Sequence, residues 1–263
     1  MKLKTFVIGS VLAVALLLFA QQRRDDVPSA VALRGVVDLT HAINDSVPTF
    51  EVSDPSPYRA KVVATVDKDK YFAREISLPE HFGTHIDAPA HFARGAWTVD
   101  QIPVARLVAP MVVLDVRKAA RANPDYQVSV QDIADWEKAN GDIPLNSVIM
   151  ACTGWDERWN SAKEYRNADA KGVMHFPGYS EDAAKFLADG RKALGLGIDT
   201  LSVDYGPSQD FPVHQYTLAH GLYHLENVDN LERVPAKGAT VVVAPMKLEG
   251  GSGGPVRILA LIR

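Results

Sequence analysis

Between His81 and His91 the chain reads HFGTHIDAPAH, which places three of its eight histidines and an aspartate in one short stretch separated by Gly, Thr and Pro. Imidazole and carboxylate are side chains that hold zinc or manganese, and imidazole also moves protons near neutral pH. His81 and His85 have the i, i+4 spacing of helical zinc sites, but Gly83, Thr84 and Pro89 make a poor helix. An extended segment suits these residues better. Side chains then alternate, so His81, Gly83, His85 and Asp87 share one face while Phe82, Thr84 and Ile86 take the other, and Gly83 leaves room for an ion. The Ala88-Pro89 turn brings His91 back toward the same spot. Burying these groups without a cation would leave polar atoms without partners, so the stretch is predicted to be a metal site.

An ion of this kind needs about four ligands, and a catalytic one keeps a position open. The stretch HQYTLAHGLYHLEN supplies His214, His220, His224 and Glu226. Gly221 divides it into a helical first part and an extended second part, in which Tyr223 and Leu225 face away from His224 and Glu226. Spacing alone leaves open which of these bind, since His220 and His224 could equally cap a helix or face the core. His41 and His175 stand alone and are read as structural.

The elements that must position these groups follow from short apolar, β-branched runs at 35–40, 61–66, 111–116, 147–152, 194–203, 240–246 and 256–262. Continuous apolarity over so few residues predicts strands of a sheet covered on both faces. Ser129 is placed to cap a helix that Asn140-Gly141 stops, and Ser180 to cap a second closed by Gly190. Strand and helix alternate through the second half, which predicts an α/β fold. The segment from Trp155 to Pro177 lacks periodicity but carries aromatic rings. It is either a pocket wall or lid, or a loop packed on the core by its own rings.

With 47% hydrophobic and 23% charged residues the composition is that of a globular protein. Residues 1–20 have Lys2 and Lys4, an apolar run from Thr5 to Ala20, and polar residues beyond, the layout of a cleaved secretory leader. Periplasmic or secreted location is expected, with an uncleaved anchor as the alternative. Without those two lysines, 26 basic residues stand against 32 acidic ones, a net charge of −6, which leaves no basic stripe for nucleic acid. No membrane association is expected after cleavage. Cys152 is the single cysteine, so no disulfide forms within the chain. GGSGG at 250–254 fits a serine-nucleophile pattern, but no acid and histidine follow it, and a glycine-rich turn between two strands is expected.

The first stretch matches a longer signature, HxGTHxDxPxHF, and through it the sequence resembles the cyclase family of metal-dependent hydrolases, with its kynurenine formamidase and isatin hydrolase branches. The likeness continues in VDLTHAI, ACTGW, PGYSEDAAKFLAD, GIDTLSVDYG, FPVHQYTLAHGLYHLENVDNL and GGSGGPVRILALI. It implies an α/β fold of the swivelling β/β/α type in one domain over 21–263. It also implies a homodimer or higher homo-oligomer and one or two divalent ions, Zn or Mn. By this resemblance His81, His85 and Asp87 hold the first ion, Asp87 bridges to a second held by His214 and Glu226, and His91 is the general acid/base. The implied reaction is hydrolysis, by a metal-activated hydroxide, of a C–N amide bond in a small aromatic substrate. That substrate is N-formylkynurenine, giving kynurenine and formate, or a cyclic amide such as isatin. Where formamidases have a tryptophan in a WPGD-like stretch, this chain has VPTFEVSDPSPY, so Phe50 is expected to serve in part as pocket wall, with Trp155 as a second wall residue. The alternatives are a non-catalytic periplasmic metal- or ligand-binding protein, or a lactone or ester hydrolase of the same fold.

Overall fold

The structure is a computed structural model that describes residues 33–51 and 56–263. The leader at 1–20 lies outside the described residues. Gly35–Ile262 forms one compact unit. Among the described residues no helix is long and apolar enough to cross a membrane.

The strands are β1 Gly35–Asp38, β2 Arg59–Ala64, β3 Ala73–Ser77, β4 His85–Asp87, β5 Val108–Asp115, β6 Gln127–Val128, β7 Val148–Cys152, β8 Gly178–Tyr179, β9 Gly195–Ile198, β10 Tyr223–Glu226, β11 Ala239–Pro245 and β12 Gly253–Ile262. Eight of them make one sheet in the order β1-β12-β11-β5-β7-β9-β10-β4, and β4 pairs again with β12. That second pairing closes seven strands into a barrel-like ring with β1 outside β12. The short β6–β8 pair and the β2–β3 hairpin are separate.

Alternate residues of the central strands serve two cores. Met111 and Val113 of β5 and Val148 and Met150 of β7 pack with Val241 and Ile258. Their neighbours Val112, Leu114, Ile149 and Ala151 pack under helices that supply Ile133, Trp136 and Leu187. Both faces are covered, which is why these strands read as continuous apolar runs. The helix Val130–Asn140 starts at Ser129, whose hydroxyl accepts from Asp132 N while the Asp132 carboxylate accepts from Ser129 N. Gly141 ends it with φ 82°, as the sequence predicts.

Two expectations are corrected. The run at 61–66 is not a buried strand: β2 pairs only with β3, and most of its residues are exposed. Its valines look like core residues, but no second layer covers them. The run at 194–203 is strand only to Ile198, after which the chain turns.

Candidate metal centre

The segment 81–87 is not one extended strand. Gly83 has φ 66°, a left-handed conformation that glycine adopts without steric cost, and only His85–Asp87 is strand. The alternation argument therefore holds for His85 and Asp87, while His81 reaches the same place through the bend at Gly83. Pro89–His91 forms one 3-10 turn that returns His91 to the site, stacked on His81 with ring centroids 4.0 Å apart.

The two histidine stretches meet because β4 and β10 are antiparallel neighbours, with His224 opposite Asp87, Leu225 opposite Ile86 and Glu226 opposite His85. Four polar groups thus point to one face and two apolar ones into the core. On the other side of β4, Gly253 of β12 lies opposite Asp87. A Cβ there would come within 2.6 Å of His81 Cε1 and 2.5 Å of Ile86 O, so only glycine fits. His214 enters from the first turn of the helix Pro212–Ala219. Asp204 accepts from the backbone N–H of Val213 and His214 and from His214 Nδ1 at 2.7 Å. One carboxylate thereby caps the helix and orients the imidazole.

The hydrogen-bond partners fix which nitrogen of four imidazoles carries its proton. His85 Nδ1 donates to Gly83 O at 2.9 Å, and His214 Nδ1 to Asp204. His224 Nε2 donates at 2.7 Å to Thr217 Oγ1, whose own proton is given to Val213 O. His81 Nε2 donates at 2.9 Å to Ser252 Oγ, whose proton goes to Glu80 Oε2. The other nitrogen of every ring turns a lone pair toward Asp87. His81 Nδ1 and His85 Nε2 stand 2.6 and 3.3 Å from Oδ1. His214 Nε2 and His224 Nδ1 stand 3.3 and 3.7 Å from Oδ2. Glu226 adds Oε2 at 3.4 Å from His85 and Oε1 at 3.4 Å from His214.

Lone pairs facing lone pairs in a buried site repel unless a cation stands between them. Ligands held about 2.1 Å from a tetrahedral ion lie about 3.4 Å from one another, which is the spacing of His85, His214, Asp87 and Glu226. His224 Nδ1 is buried with no hydrogen-bond partner. These residues fit a divalent metal. Two overlapping groups among the described residues bring one ligand atom from each member within 4.8 Å of the others: Asp87, His214, His224 and Glu226, and His81, Asp87 and His91.

In the chain alone, protons take the place of the cation. Burial by itself would lower the pKa of His85 and of His214. Asp87 and Glu226 overcome this for His85, which rises to about 9. Asp204, Asp87 and Glu226 overcome it for His214, which rises to about 10. Asp87 is opposed by burial, yet the surrounding imidazoles hold it well below the usual carboxylate range. Burial and the Asp87 charge push Glu226 up to about 7. His91 differs, because burial lowers it to about 4 with little to compensate.

The centre forms one end of a cavity of about 290 Å³ whose remaining wall includes Phe50, Phe92, Leu201, Ser202 and Phe211. Phe211 links the other two rings, at 6.0 Å from Phe50 and 5.9 Å from Phe92. Phe50 lines the cavity. Trp155, expected as a second wall residue, does not line it: it is buried, its indole N–H given to Tyr165 O, in a cluster with Tyr165, Phe176 and Leu201. The segment from Trp155 to Pro177 is packed by its own rings: Trp155, Tyr165 and Phe176 are buried together with Leu201. His220 is exposed and donates to Tyr216 O within its own helix. His41 and His175 pair with Asp229 and Asp125.

Sequence reasoning missed Glu80, Asp204, Asn227 and Ser252, and left His224 undecided. Asn227 lies in the left-handed region, φ 55°. It donates from Nδ2 to Gly83 O at 2.9 Å and accepts at Oδ1 from Tyr165 O–H at 3.0 Å. Its carbonyl accepts from Thr84 Oγ1 at 2.6 Å. The carbonyl that orients His85 is therefore itself held by Asn227. Asn227→Ala is expected to weaken metal affinity by about 10- to 100-fold with folding retained, measured by competition with a metal chelator.

Residues 37–205 match the family model described as putative cyclase. Isatin hydrolase of Roseibium aggregatum is 34% identical over 242 residues, covering 86% of this chain and 91% of that protein. Kynurenine formamidase of Salinibacter ruber is 25% identical over 222 residues, covering 84% and 95%. Isatin hydrolase A from Labrenzia aggregata, solved bound to benzyl benzoate, superposes with a TM-score of 0.82 at 31% identity over 92% of this chain and 99% of that one.

Proposed function

The chain belongs to the cyclase family, and from that premise we propose that it is a metal-dependent hydrolase that opens the C–N bond of a small aromatic amide, the cyclic amides of the isatin type before open-chain formamides. The observation that carries this is the convergence of four imidazole lone pairs and two carboxylates beside His91, an imidazole that no hydrogen bond ties to a carboxylate or carbonyl, at the end of an apolar cavity. The cavity supports the cyclic substrate because three phenylalanines line it and, among the described residues, no lysine or arginine does. The charged amino-acid end of N-formylkynurenine would find no cationic partner there, whereas a neutral bicyclic ring finds stacking surfaces.

Asp87 and Glu226 each offer one oxygen to the His81–His85 side and the other to the His214–His224 side. This division supports up to two ions per chain, which His81, His85, His214, His224, Asp87 and Glu226 would hold. Nitrogen and oxygen donors of this kind suit zinc or manganese. When bound, such an ion lowers the pKa of a coordinated water and polarises a carbonyl oxygen. The chain's own groups do the rest. The rings of Phe50, Phe92 and Phe211 hold the substrate and exclude bulk water. His91, neutral above its low pKa, accepts a proton from the water that adds to the amide carbon. As the C–N bond breaks, the electron pair goes to nitrogen and His91 returns the proton there, so the amine leaves neutral. Self-assembly into a homodimer or larger homo-oligomer, export by a leader over residues 1–20, and periplasmic or secreted location complete the proposal.

The test is turnover of isatin and of N-formylkynurenine by protein loaded with zinc or manganese and by protein stripped with chelator, with metal content read by mass spectrometry. Two ions per chain, loss of turnover on stripping and at least tenfold faster turnover of isatin are expected. Bound metal without turnover of any aryl amide would leave a binding protein.

A further inference from the structure

Apart from the metal-binding groups and His91, three polar side chains line the cavity among the described residues: Thr49, Ser202 and Asn227. Two are already engaged. Thr49 Oγ1 donates to Glu51 O at 2.5 Å, and Asn227 is held between Gly83 O and the Tyr165 hydroxyl. Ser202 differs. It is buried, its Oγ accepts from Asp204 N at 3.2 Å, and among the described residues no acceptor takes its own proton. A buried hydroxyl that accepts one hydrogen bond and gives none has a donor to offer to whatever fills the cavity.

That donor is fixed in place. Thr200 Oγ1 donates to Ser202 O at 2.8 Å, Val203 N to Glu226 Oε1 at 2.9 Å and Tyr179 N to Val203 O at 2.7 Å. Ser202 stands on the Glu226 and His214 side of the centre, because the next two residues along the chain hold those two groups. His91 lies toward the other side, its ring centroid 4.0 Å from that of His81 and 6.0 Å from that of His214. The attacked carbon of an aryl amide carries nitrogen as one substituent and hydrogen or carbon as the other. His91 must meet the nitrogen, since it returns the proton there, so the second substituent is directed toward Ser202. In a ring of the isatin type that substituent is a second carbonyl. Its oxygen gives up water on entering an apolar cavity, and that is costly unless a donor meets it.

We propose that Ser202 is a specificity-determining residue, whose hydroxyl donates to a carbonyl next to the amide carbonyl that is opened and so selects cyclic α-keto amides over plain lactams and formamides. This inference rests on the hydrolase reading above and deepens it. Indolin-2-one differs from isatin only in lacking the second carbonyl, so the pair isolates the contact. Dissociation constants of both are measured on metal-loaded His91→Ala, where slow turnover lets binding equilibrate, and on His91→Ala with Ser202→Ala, with metal content read on each preparation. Isatin should bind about tenfold tighter than indolin-2-one to the first and within about twofold of it to the second, the loss expected for one hydrogen bond. Metal content should be equal. With His91 in place, Ser202→Ala should lower kcat/KM for isatin about tenfold and for formanilide, an aryl formamide without a second carbonyl, by less than about twofold. Ser202→Cys keeps the size of the side chain but donates weakly; it should show an intermediate preference, and it decides the matter if Ser202→Ala fails to fold. An unchanged preference, equal weakening of both ligands, or loss of metal from the variant would make Ser202 a support for Asp204 alone and overturn the assignment. A wild type that opens no aryl amide but keeps the Ser202-dependent preference for isatin would overturn the hydrolase reading and leave the contact standing.

Discussion

Replacing His91 with alanine is expected to leave the metal content unchanged and to lower turnover by about 10²- to 10⁴-fold, the range that a positioned general acid/base supplies. The reason is geometric. His91 stacks on His81, so it sits within reach of the centre, yet it belongs to neither strand that carries the carboxylates. His81, His85, His214 and His224 each have one nitrogen occupied by an acceptor and the other aimed at Asp87; no such bond ties His91. Burial holds its pKa near 4, so it is neutral and able to accept a proton across the whole physiological range. The ratio of wild-type to variant turnover should therefore hold as pH drops through 6.5, the ordinary imidazole value, and shrink only as pH approaches 4. Metal content and kcat of the variant, measured on the same preparation, decide the matter. Loss of metal from His91→Ala equal to that from His85→Ala would make His91 a ligand and leave the proton transfers without an owner.

Asp87→Asn is expected to have the largest effect of any single substitution: metal affinity falls by more than about 100-fold and the metal-free chain loses about 3–5 kcal/mol of stability. The second figure is the usual cost of removing one partner from a buried charge cluster. In the metal-free chain His85 and His214 keep protons to about 9 and 10, and Asp87 is the carboxylate nearest to both. An amide in its place leaves those two cations facing only Glu226 and Asp204. The pH dependence carries the same information. A histidine with a raised pKa contributes stability that is complete below its unfolded value of 6.5 and is lost as pH rises to 9–10. Glu226, raised to about 7, loses its contribution as pH rises from 4.5 to 7. Asp87, held low, acts in the opposite sense and loses its contribution as pH falls below the ordinary carboxylate range. Melting of chelator-treated wild type should accordingly decline as pH rises from about 6.5 toward pH 10. In Asp87→Asn the decline should be shallower and begin from a lower melting temperature. Full metal occupancy in this variant would show that the ion sits elsewhere.

Much of the site can be read along the chain. HFGTHIDAPAH announces its chemistry because the donors are close in sequence and because Gly, Thr and Pro exclude a helix, so the residues alone predict a metal site of imidazole and carboxylate around Asp87. The caps at Ser129 and Gly141 are equally local, since a cap depends on residues three or four positions away. What the sequence could not decide depends on partners far along the chain. Whether His224 faces the site or the core turns on the register of β10 against β4. A slip by one residue would exchange His224 and Glu226 for Tyr223 and Leu225. Asp204, Asn227 and Ser252 carry no local sign of function, because each acts by accepting or donating one hydrogen bond to a group brought near only by the closed sheet. The valines of 61–66 mislead for the same reason. Apolarity says that a face is to be covered, and only the tertiary structure shows that none of the described residues covers it. Residue type and short spacing thus determine which chemistry is available, whereas strand pairing, which is long-range and specified by the whole core, decides which of those groups meet.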